Sequence, residues 1–465
     1  MKLKLSISIL TFGVFLLSAC VKPSIYQQPN VNTEDLYRGV ESTDSTGIAS
    51  LEWQQLFTDP ILQDLIKTGL AENLNLKIAV ERIAAVQATF RESELAFFPS
   101  LSAGLSRTEN QLSSQAVNFP VGSIRLATST NTLQLNTSWE ADIWGKLKSA
   151  KKAAYANLMR EDATKRVVQT ELIANIANAY YGLLALDKQL MVTEETVLNR
   201  KESVESMRAL KDASYVTEAE VMQAEANLYS AEVLIPNIKK GIRETENILS
   251  FLLGSASSSV RRSSLDTQRA YADLQTGLPA QLLQNRPDVQ QAEFALVAAF
   301  ENVNVAKTYF YPSLTITASG GFNSFDLKDF FNRSIFYNLV GGLAQPIFSK
   351  GRNEARLAIA EADQKQAMYG FQQSLLGAGQ EVSNALFAYQ TAVEREEIRG
   401  KEIESLTKAA EYTKELLVYS SNTNYTDVLN SEQALIVSRL NGVNDKLEQL
   451  QSVVNLYRAL GGGWE

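Results

Sequence analysis

The chain has 465 residues, and its 44 Lys and Arg against 52 Asp and Glu give a formal net charge of −8. A hydrophobic fraction of 45% and a charged fraction of 21% are typical of a folded protein and exclude disorder along the whole chain. With no histidine and one cysteine, a Ser-His-Asp triad, a His-ligated zinc site and an intrachain disulfide are excluded. The acidic balance argues against nucleic acid as a partner. We therefore expect a protein that is not an enzyme and that uses no metal and no cofactor.

The N-terminus indicates an exported chain. A short basic segment precedes an apolar stretch from Leu5 to Leu17, which is too short to span a bilayer as a helix. The stretch ends Leu17-Ser18-Ala19-Cys20, which resembles the bacterial lipobox, where cleavage leaves a cysteine bearing a diacylglycerol thioether and usually an N-acyl chain. A plain signal peptide with an incidental cysteine is the alternative. We expect residues 1–19 to be removed and Cys20 to be the lipid attachment site. No later segment predicts a transmembrane helix, so strands must make any membrane crossing.

The chain contains two copies of one internal structural repeat. Phe97-Phe98-Pro99-Ser100-Leu101 returns as Phe310-Tyr311-Pro312-Ser313-Leu314, and Leu252-Leu253-Gly254 returns as Ala459-Leu460-Gly461, at an offset of roughly 205 to 213 residues. Each copy predicts a helix that stops at a proline, then two strands and two long helices. In copy one these are Leu62–Leu95, Leu101–Ser106, Leu133–Glu140, Lys146–Leu210 and Thr217–Leu253, the last with a kink at Pro236. In copy two they are Asp288–Lys307, Leu314–Ser319, Phe336–Phe348, Asn353–Val418 and Thr426–Leu460.

The strand pattern predicts a barrel shared between chains. Apolar and polar residues alternate along the strands, which gives each strand one apolar and one polar face, although the fourth strand alternates poorly around Gly341-Gly342. Four strands cannot close a membrane barrel, since the smallest have ~8, and an open edge in lipid leaves backbone groups unpaired. Several copies must therefore pool their strands around a wet lumen. A soluble β-sandwich joined to a coiled coil is the alternative. Aromatic residues near the strand ends are expected at the membrane interfaces: Phe97, Phe98, Trp144, Phe310, Tyr311 and Phe348.

Several strings in order carry a family resemblance. They are Trp53-Gln54-Gln55-Leu56-Phe57-Thr58-Asp59-Pro60-Ile61-Leu62, the segment Leu278–Glu293 with its Arg286-Pro287-Asp288, and Asn455-Leu456-Tyr457-Arg458-Ala459-Leu460-Gly461-Gly462-Gly463-Trp464. With these, the chain resembles an outer-membrane factor of tripartite efflux systems, the TolC-like family. Within it, the chain looks like the NodT-type lipoprotein channels that serve resistance-nodulation-division pumps. From the residues themselves, Arg286-Pro287-Asp288 is a helix start signal and not a binding site.

The resemblance implies an α+β membrane channel. Three chains would form a homotrimer with a transmembrane β-barrel in the outer membrane, four strands coming from each chain, and a long α-helical barrel in the periplasm. A periplasmic adaptor protein and an inner-membrane pump would be its partners, and it would export small toxic compounds passively. Two alternatives stay open: a type I protein-secretion duct, and a poreless periplasmic coiled-coil lipoprotein tether. The expected parts are a lipidated equatorial segment 20–61, repeat one 62–254, an equatorial linker 255–277 and repeat two 278–465.

The turns between the long helices are the expected gate and adaptor contact. These turns span Lys211–Val216 and Tyr419–Asn424, and neither contains the glycine that the family usually has there. The expected turn residues are Lys211, Asp212, Ser214, Ser421, Asn422 and Asn424, and the candidate gate charges nearby are Arg208, Glu411, Lys414, Glu415 and Asp427. We hypothesise that acids near the turns, repeated by symmetry, narrow the closed pore and favour cations. Ordinary solvated charges on a helix surface are the alternative.

Overall fold

The structure, a computed structural model, describes residues 24–31, 36, 48, 51–113, 127–271, 282–419 and 425–464. The predicted signal peptide, Cys20 and the expected turn residues Ser421, Asn422 and Asn424 lie outside the described residues. The chain divides into two compact units. The first comprises Met1–Asn30, Ile83–Arg160 and Ala292–Gly370, and the second comprises Val31–Arg82, Glu161–Gln291 and Phe371–Glu465. Each unit draws on both sequence repeats.

The helices and strands follow the predicted order in both repeats. The helices are α1 Trp53–Leu56, α2 Pro60–Glu72, α3 Leu74–Leu95, α4 Lys146–Asp212, α5 Glu218–Glu232, α6 Leu234–Leu252, α7 Leu282–Asn285, α8 Pro287–Thr308, α9 Arg352–Tyr419 and α10 Tyr425–Ala459. The strands are β1 Ser100–Gln111, β2 Ala127–Ala141, β3 Ser313–Ser324 and β4 Ile335–Ala344. None of the described helices is both long and apolar enough to cross a membrane.

The four strands of the first unit form one antiparallel sheet in the order β1-β2-β3-β4. Its register gathers apolar residues on one face, since Leu105, Leu133, Phe322 and Ile335 lie side by side in one row. Ser102, Asn136, Ser319 and Asn338 form a row on the other face in the same way. The predicted alternation therefore produces one apolar and one polar face.

The fourth strand ends earlier than the sequence indicated. The prediction of a strand over Phe336–Phe348 was wrong at its end, because β4 stops at Ala344, where it pairs with Ser313. Pro346 has no N–H to donate to a ladder, so the strand cannot continue through it. Phe348 therefore lies beyond the strand.

Two predicted helices are each divided in two. The first breaks at Asn73, whose side-chain Oδ1 accepts a hydrogen bond from the Leu76 N–H at 3.0 Å and whose Nδ2 donates to the Leu252 carbonyl at 2.8 Å. Asn73 thus caps a new helix, α3, and the prediction of one helix over Leu62–Leu95 was wrong there. The second breaks at Val233, between α5 and α6. Pro236 lies three residues later and cannot complete the helical ladder, as the predicted kink requires.

The core of the second unit is built on α4. The stripe Leu172, Ile176, Tyr180 and Leu183 and its neighbour Ile173, Ala177, Tyr181 and Leu184 are all buried. This is the outcome predicted from their spacing of three and four residues. Helix α4 therefore packs against other elements along two adjacent faces.

Candidate functional site

The turn after α4 has the geometry of a helix C-terminus that glycine normally occupies. The Tyr215 N–H donates to the Leu210 carbonyl at 2.9 Å, and the Ser214 N–H donates to the Lys211 carbonyl at 2.8 Å. This pair of bonds defines a Schellman motif, which requires a positive φ at the residue that ends the helix. Ser214 supplies it with φ 62°. Ser214 thus holds a left-handed conformation that costs a residue with a Cβ and that glycine adopts without this cost.

The ends of α6 and α10 use the same motif with glycine. The Ser255 N–H donates to the Ser250 carbonyl, and Gly254 has φ 67°. The Gly462 N–H donates to the Tyr457 carbonyl, and Gly461 has φ 88°. The sequence match Leu252-Leu253-Gly254 with Ala459-Leu460-Gly461 therefore reflects one conformation used twice.

Helix α5 is capped as soon as it leaves the turn. The Glu220 carboxylate accepts hydrogen bonds from the Thr217 N–H at 2.6 Å and from its hydroxyl at 3.0 Å. This capping box begins the helix directly after the turn. The turn between α4 and α5 is thus fixed at both ends by hydrogen bonds.

Ion pairs join α4 to α5 and α9 to α10. Arg208 on α4 contacts Glu225 on α5 at 2.5 Å, and Lys211 contacts Glu218. Lys414 on α9 pairs with Glu432 on α10 at 2.8 Å. Two of the expected charges, Arg208 and Lys211, therefore hold the two helices of repeat one together.

The remaining candidate gate charges are on the surface. Asp212, Glu411, Glu415 and Asp427 are all exposed in the single chain. Their exposure fits both a role in a pore and a solvated surface. Their assignment to a gate stays a prediction.

A buried apolar cluster lies beneath the ion pairs. Val204 and Met207 from α4 meet Val221 and Leu228 from α5, and Tyr425 and Val428 from the first turn of α10 complete the cluster. Tyr425 is only 4% exposed, and its burial raises the pKa of its hydroxyl to about 12. The helices of repeat one thus pack on the start of α10.

Arg200 is a buried charged residue of α4 that the sequence did not reveal. It is only 5% exposed, and its guanidinium donates to the Asn227 carbonyl at 2.5 Å and to Gln433 Oε1 at 2.8 Å. Burial lowers the pKa of Arg200, and the nearby Glu432 acts in the opposite direction. The side chain joins α4 to α5 and to α10. Its partners lie in other helices, so no local sequence signal marks it.

A second buried network fixes α2 and the segment that follows α6. Asp59 Oδ1 caps α2 by accepting from the Ile61 N–H, while Oδ2 accepts from the Tyr180 hydroxyl at 2.7 Å, from Gln268 Nε2 at 2.9 Å and from Ser263 Oγ. Burial alone would raise the pKa of Asp59, but these hydrogen bonds together hold it below its usual value. Burial also raises the pKa of Tyr180 to about 12. The site is an ionised carboxylate whose acceptors are satisfied, which suits a structural role.

The N-terminal segment of the first unit lies along α8. Ser24 Oγ donates to Asn304 Oδ1 at 2.7 Å, and Asn304 Nδ2 donates to the Ser24 carbonyl at 3.1 Å. The Tyr26 ring contacts Phe300 edge to face at 5.7 Å between centroids. Successive residues of the segment therefore contact successive turns of α8, in the reverse direction.

Aromatic residues collect where the strands of the first unit join its helices. Trp144 stacks on Tyr311 at 4.9 Å, and its Nε1 donates to the Pro312 carbonyl at 2.7 Å. Trp139 Nε1 donates to the Phe97 carbonyl at 2.9 Å. The rings of Phe98 and Phe310 are exposed. Phe97, Phe98, Trp144, Phe310 and Tyr311 thus flank this end of the sheet, and Phe348 follows β4 at the same end, where Ala344 pairs with Ser313.

The described residues contain no group of three or more His, Cys, Asp or Glu side chains that could hold a metal ion. The arrangements that they do contain are helix turns, caps, ion pairs and packed joints between helices. These arrangements hold helices together.

Comparison with known proteins gives a consistent result. The sequence matches the family described as outer membrane efflux protein over residues 65–255 and 278–462. It is 29% identical to the solvent efflux pump outer membrane protein SrpC of Pseudomonas putida, across 97% of both chains. It is 27% identical to the cation efflux system protein CusC of Escherichia coli O6:H1, across 94% of this chain and 93% of that one. Its fold is similar to that of the outer-membrane channel OprN, with a TM-score of 0.87 at 24% identity over 96% of this chain and 100% of that chain.

Proposed function

Because the chain belongs to the outer membrane efflux protein family, we propose that it forms an outer-membrane channel that exports small toxic compounds within a tripartite pump. The observation that carries the proposal is the sheet of the first unit. Its apolar face is open to the surroundings, with Leu101 74%, Leu105 76% and Leu339 70% exposed in the single chain. Such a face suits lipid, and the polar row opposite suits a water-filled lumen.

The assembly that we propose is a homotrimer. In the part of the chain that the structure describes, β1 pairs only with β2, and β4 pairs only with β3. Each chain thus offers two unpaired edges, which are costly in lipid unless another strand covers them. Three copies joined β4 to β1 would close a twelve-stranded barrel, within the known range of membrane barrels from ~8 strands upward.

The partners that we propose are a periplasmic adaptor protein and an inner-membrane pump of the resistance-nodulation-division type. SrpC is named for a solvent efflux pump and CusC for a cation efflux system, so relatives of this chain serve pumps with different cargo. A passive duct that serves different pumps needs no cargo-specific site of its own. The two matched stretches leave residues 256–277 between them, which supports a linker between the repeats.

Conductance across a planar bilayer tests the channel. We expect the purified oligomer to give discrete current steps. We also expect deletion of the gene to raise sensitivity to the same solvents, detergents or metals as deletion of the pump gene does. A poreless tether would insert without conducting. Normal resistance with loss of a secreted protein would favour the secretion duct instead.

We propose that Cys20 carries the lipid anchor. The contact of Ser24 with Asn304 supports this, since Asn304 lies one turn before the end of α8 and β3 begins soon afterwards, at Ser313. The four residues from Cys20 to Ser24 can span at most about 14 Å. The acyl chains would therefore enter the membrane close to the strand ends. Labelling with a radioactive fatty acid tests this, and C20S is expected to lose the label while an S24A variant keeps it.

The turns between the long helices are the proposed gate and adaptor contact. The surface charges Glu411, Glu415 and Asp427 would face the pore in the assembled channel and favour cations. We expect the combined variant E411Q, E415Q and D427N to lower the cation-to-anion permeability ratio. E397Q, which removes an exposed acid paired with Lys401 elsewhere on α9, is the matched control and should leave the ratio unchanged. An equal cation-to-anion permeability ratio in all variants would mean that these residues are ordinary solvated surface charges.

A further inference from the structure

The segment between β3 and β4, residues 325–334, carries an unusual concentration of aromatic and aliphatic side chains. Phe325 is 64%, Leu327 66% and Phe331 73% exposed, and Ile335 at the start of β4 is also exposed. Exposed apolar side chains in such density on one loop mark an interaction surface. We call the group Phe322, Phe325, Leu327, Phe330, Phe331 and Ile335 the distal apolar cluster.

The loop folds onto the apolar face of the sheet. Phe322 belongs to the row that includes Leu133 and Ile335, and its ring contacts Phe331 at 5.2 Å and Phe330 at 6.1 Å between centroids. Phe330 and Phe331 contact each other at 5.0 Å. The loop rings therefore extend the apolar face of the strands.

Hydrogen bonds from both side chains and backbone hold the loop in this place. Asn131 lies on the same face as Leu133, two positions nearer the loop, and is only 5% exposed. Its Nδ2 donates to the carbonyls of Ser324 and Phe325 at 3.4 Å. The Asn323 N–H donates to the Ser334 carbonyl at 2.8 Å, and Ser334 Oγ donates to the Phe330 carbonyl. The loop is thus an ordered part of the sheet, and its apolar rings have a fixed place.

The apolar rows of the strands are short for a membrane. From Leu314 to Phe322 the face advances about 26 Å along β3 at ~3.3 Å per residue. At a strand tilt of ~40° this gives a height of about 20 Å, against ~25 Å for the apolar band of an outer-membrane barrel. Beyond Leu105 on β1 the same face turns polar, with Arg107 paired to Glu109 at 2.9 Å. The strands alone leave a shortfall of about 5 Å at the distal end.

We infer that the distal apolar cluster inserts into the acyl region of the outer leaflet and completes the membrane-facing band of each chain. The inference rests on the proposed function, since it requires the apolar sheet face to contact lipid. Lipid is the occupant favoured by continuity, because Ile335 of the cluster lies on the same face as Leu339 and Leu343, and the loop rings contact Phe322, its neighbour in the last apolar row of the strands. A neighbouring copy covering the cluster is the competing occupant.

Spin labels on introduced cysteines test the inference in the full-length protein, reconstituted in vesicles of phosphatidylcholine and phosphatidylglycerol. F331C reports the cluster, and L327C provides a second site in the same loop. L339C reports the middle of the apolar sheet face, and N323C lies beside Phe322 but on the opposite, polar face. The unsubstituted chain measures any labelling of Cys20.

Collisions with oxygen, which concentrates in lipid, are compared with collisions with a water-soluble nickel chelate. We expect labels at 331 and 327 to favour oxygen over the chelate several-fold more than the label at 323, and to lie shallower than the label at 339. Labels at 331 and 327 that behave like the label at 323 overturn the inference, as do labels shielded from both reagents, which would indicate a neighbouring copy. A label at 339 that meets the chelate freely overturns the proposed function itself.

Discussion

Arg286 donates a hydrogen bond from Nη1 to the backbone carbonyl of Ala459 at 2.7 Å, which joins the start of repeat two to the last turn of the last helix. The same guanidinium binds Asp288 through Nε and Nη2, and Nη1 also contacts Glu381 at 3.0 Å. The side chain is only 6% exposed. The Arg286-Pro287-Asp288 string does begin a helix, α8, at Pro287, but its arginine also fastens the C-terminus.

Replacing Arg286 should therefore destabilise the second unit. We expect R286A to cost about 3 kcal/mol, since it breaks a buried group of charge-assisted hydrogen bonds. The control is R458Q, which removes a half-exposed partner of the same Glu381 and should cost less than ~1 kcal/mol. Thermal unfolding of the detergent-purified variants measures both, and equal melting temperatures would contradict the assignment.

Asp59 should make stability depend on pH. Its folded pKa lies below its unfolded value, so ionised Asp59 stabilises the fold above the unfolded pKa of ~3.9, and this stabilisation is lost as pH falls toward the folded pKa. We expect D59N to cost about 2 kcal/mol at pH 7, because an amide cannot accept all three donors on Oδ2. The difference between D59N and the unsubstituted chain should shrink below pH ~4. A difference that stays constant down to pH ~3 would show that ionisation has no part.

Glu293 should show the opposite sign. Glu293 lies on α8 beside the N-terminal segment, and its burial there raises its pKa. Its contribution is therefore greatest below the unfolded pKa of ~4.3 and is lost as pH rises through the folded value. We expect E293Q to stabilise the protein slightly at pH 7 and to have no effect near pH ~4. Melting curves at the two pH values decide this, and a destabilised E293Q at pH 7 would count against it.

Ser214 should gain from substitution by glycine. A left-handed φ costs a residue with a Cβ roughly 1–2 kcal/mol, so S214G should stabilise the turn by up to about 1 kcal/mol after the entropy cost of glycine. S206G, at an exposed position inside α4 and less than two turns before its end, is the matched control and should destabilise by a similar amount. If both variants lower the melting temperature, the turn does not have the conformation described.

Arg200 should control how tightly the start of α10 is held. We expect R200A to speed hydrogen exchange of the amides around Gln433 about tenfold, as loss of ~1.4 kcal/mol implies. R439Q provides the control, because Arg439 joins the same two helices through an exposed pair with Glu195 at 3.2 Å. Exchange that rises equally in both variants would mean that the buried arginine has no special role.

The sequence predicted local features well. Alternation in β1, β2 and β3 predicted the two faces of the sheet, and the spacing around Tyr180 predicted the buried faces of α4, because both patterns repeat within a few residues. Pro236 predicted a kink, because its missing N–H acts on its own helix. The break at Asn73 was missed because the apolar pattern continues through it, although the cap that Asn73 forms with the Leu76 N–H is local. Only the further contact of Asn73 with the Leu252 carbonyl involves a residue far along the chain.

Residues whose partners lie far along the chain could not be predicted. Arg286 and Ala459 are 173 positions apart, and Asp59 and Gln268 are 209 positions apart. The local sequence around an arginine or an aspartate does not identify a partner so far along the chain. The distal apolar cluster was missed for a related reason, since residues 325–334 have no strand or helix period and only the contact with Phe322 shows which face they cover.

The outer strands of the sheet have a consequence for cells that hold two versions of the gene. Because β1 and β4 are the two different edges of one sheet, each subunit in the proposed ring would need a sound edge from both neighbours. One subunit with a defective edge strand would therefore prevent closure of a barrel that contains two normal subunits. In an equal mixture only about one ring in eight would be wholly normal, so an edge mutation should be dominant even when half of the protein is intact.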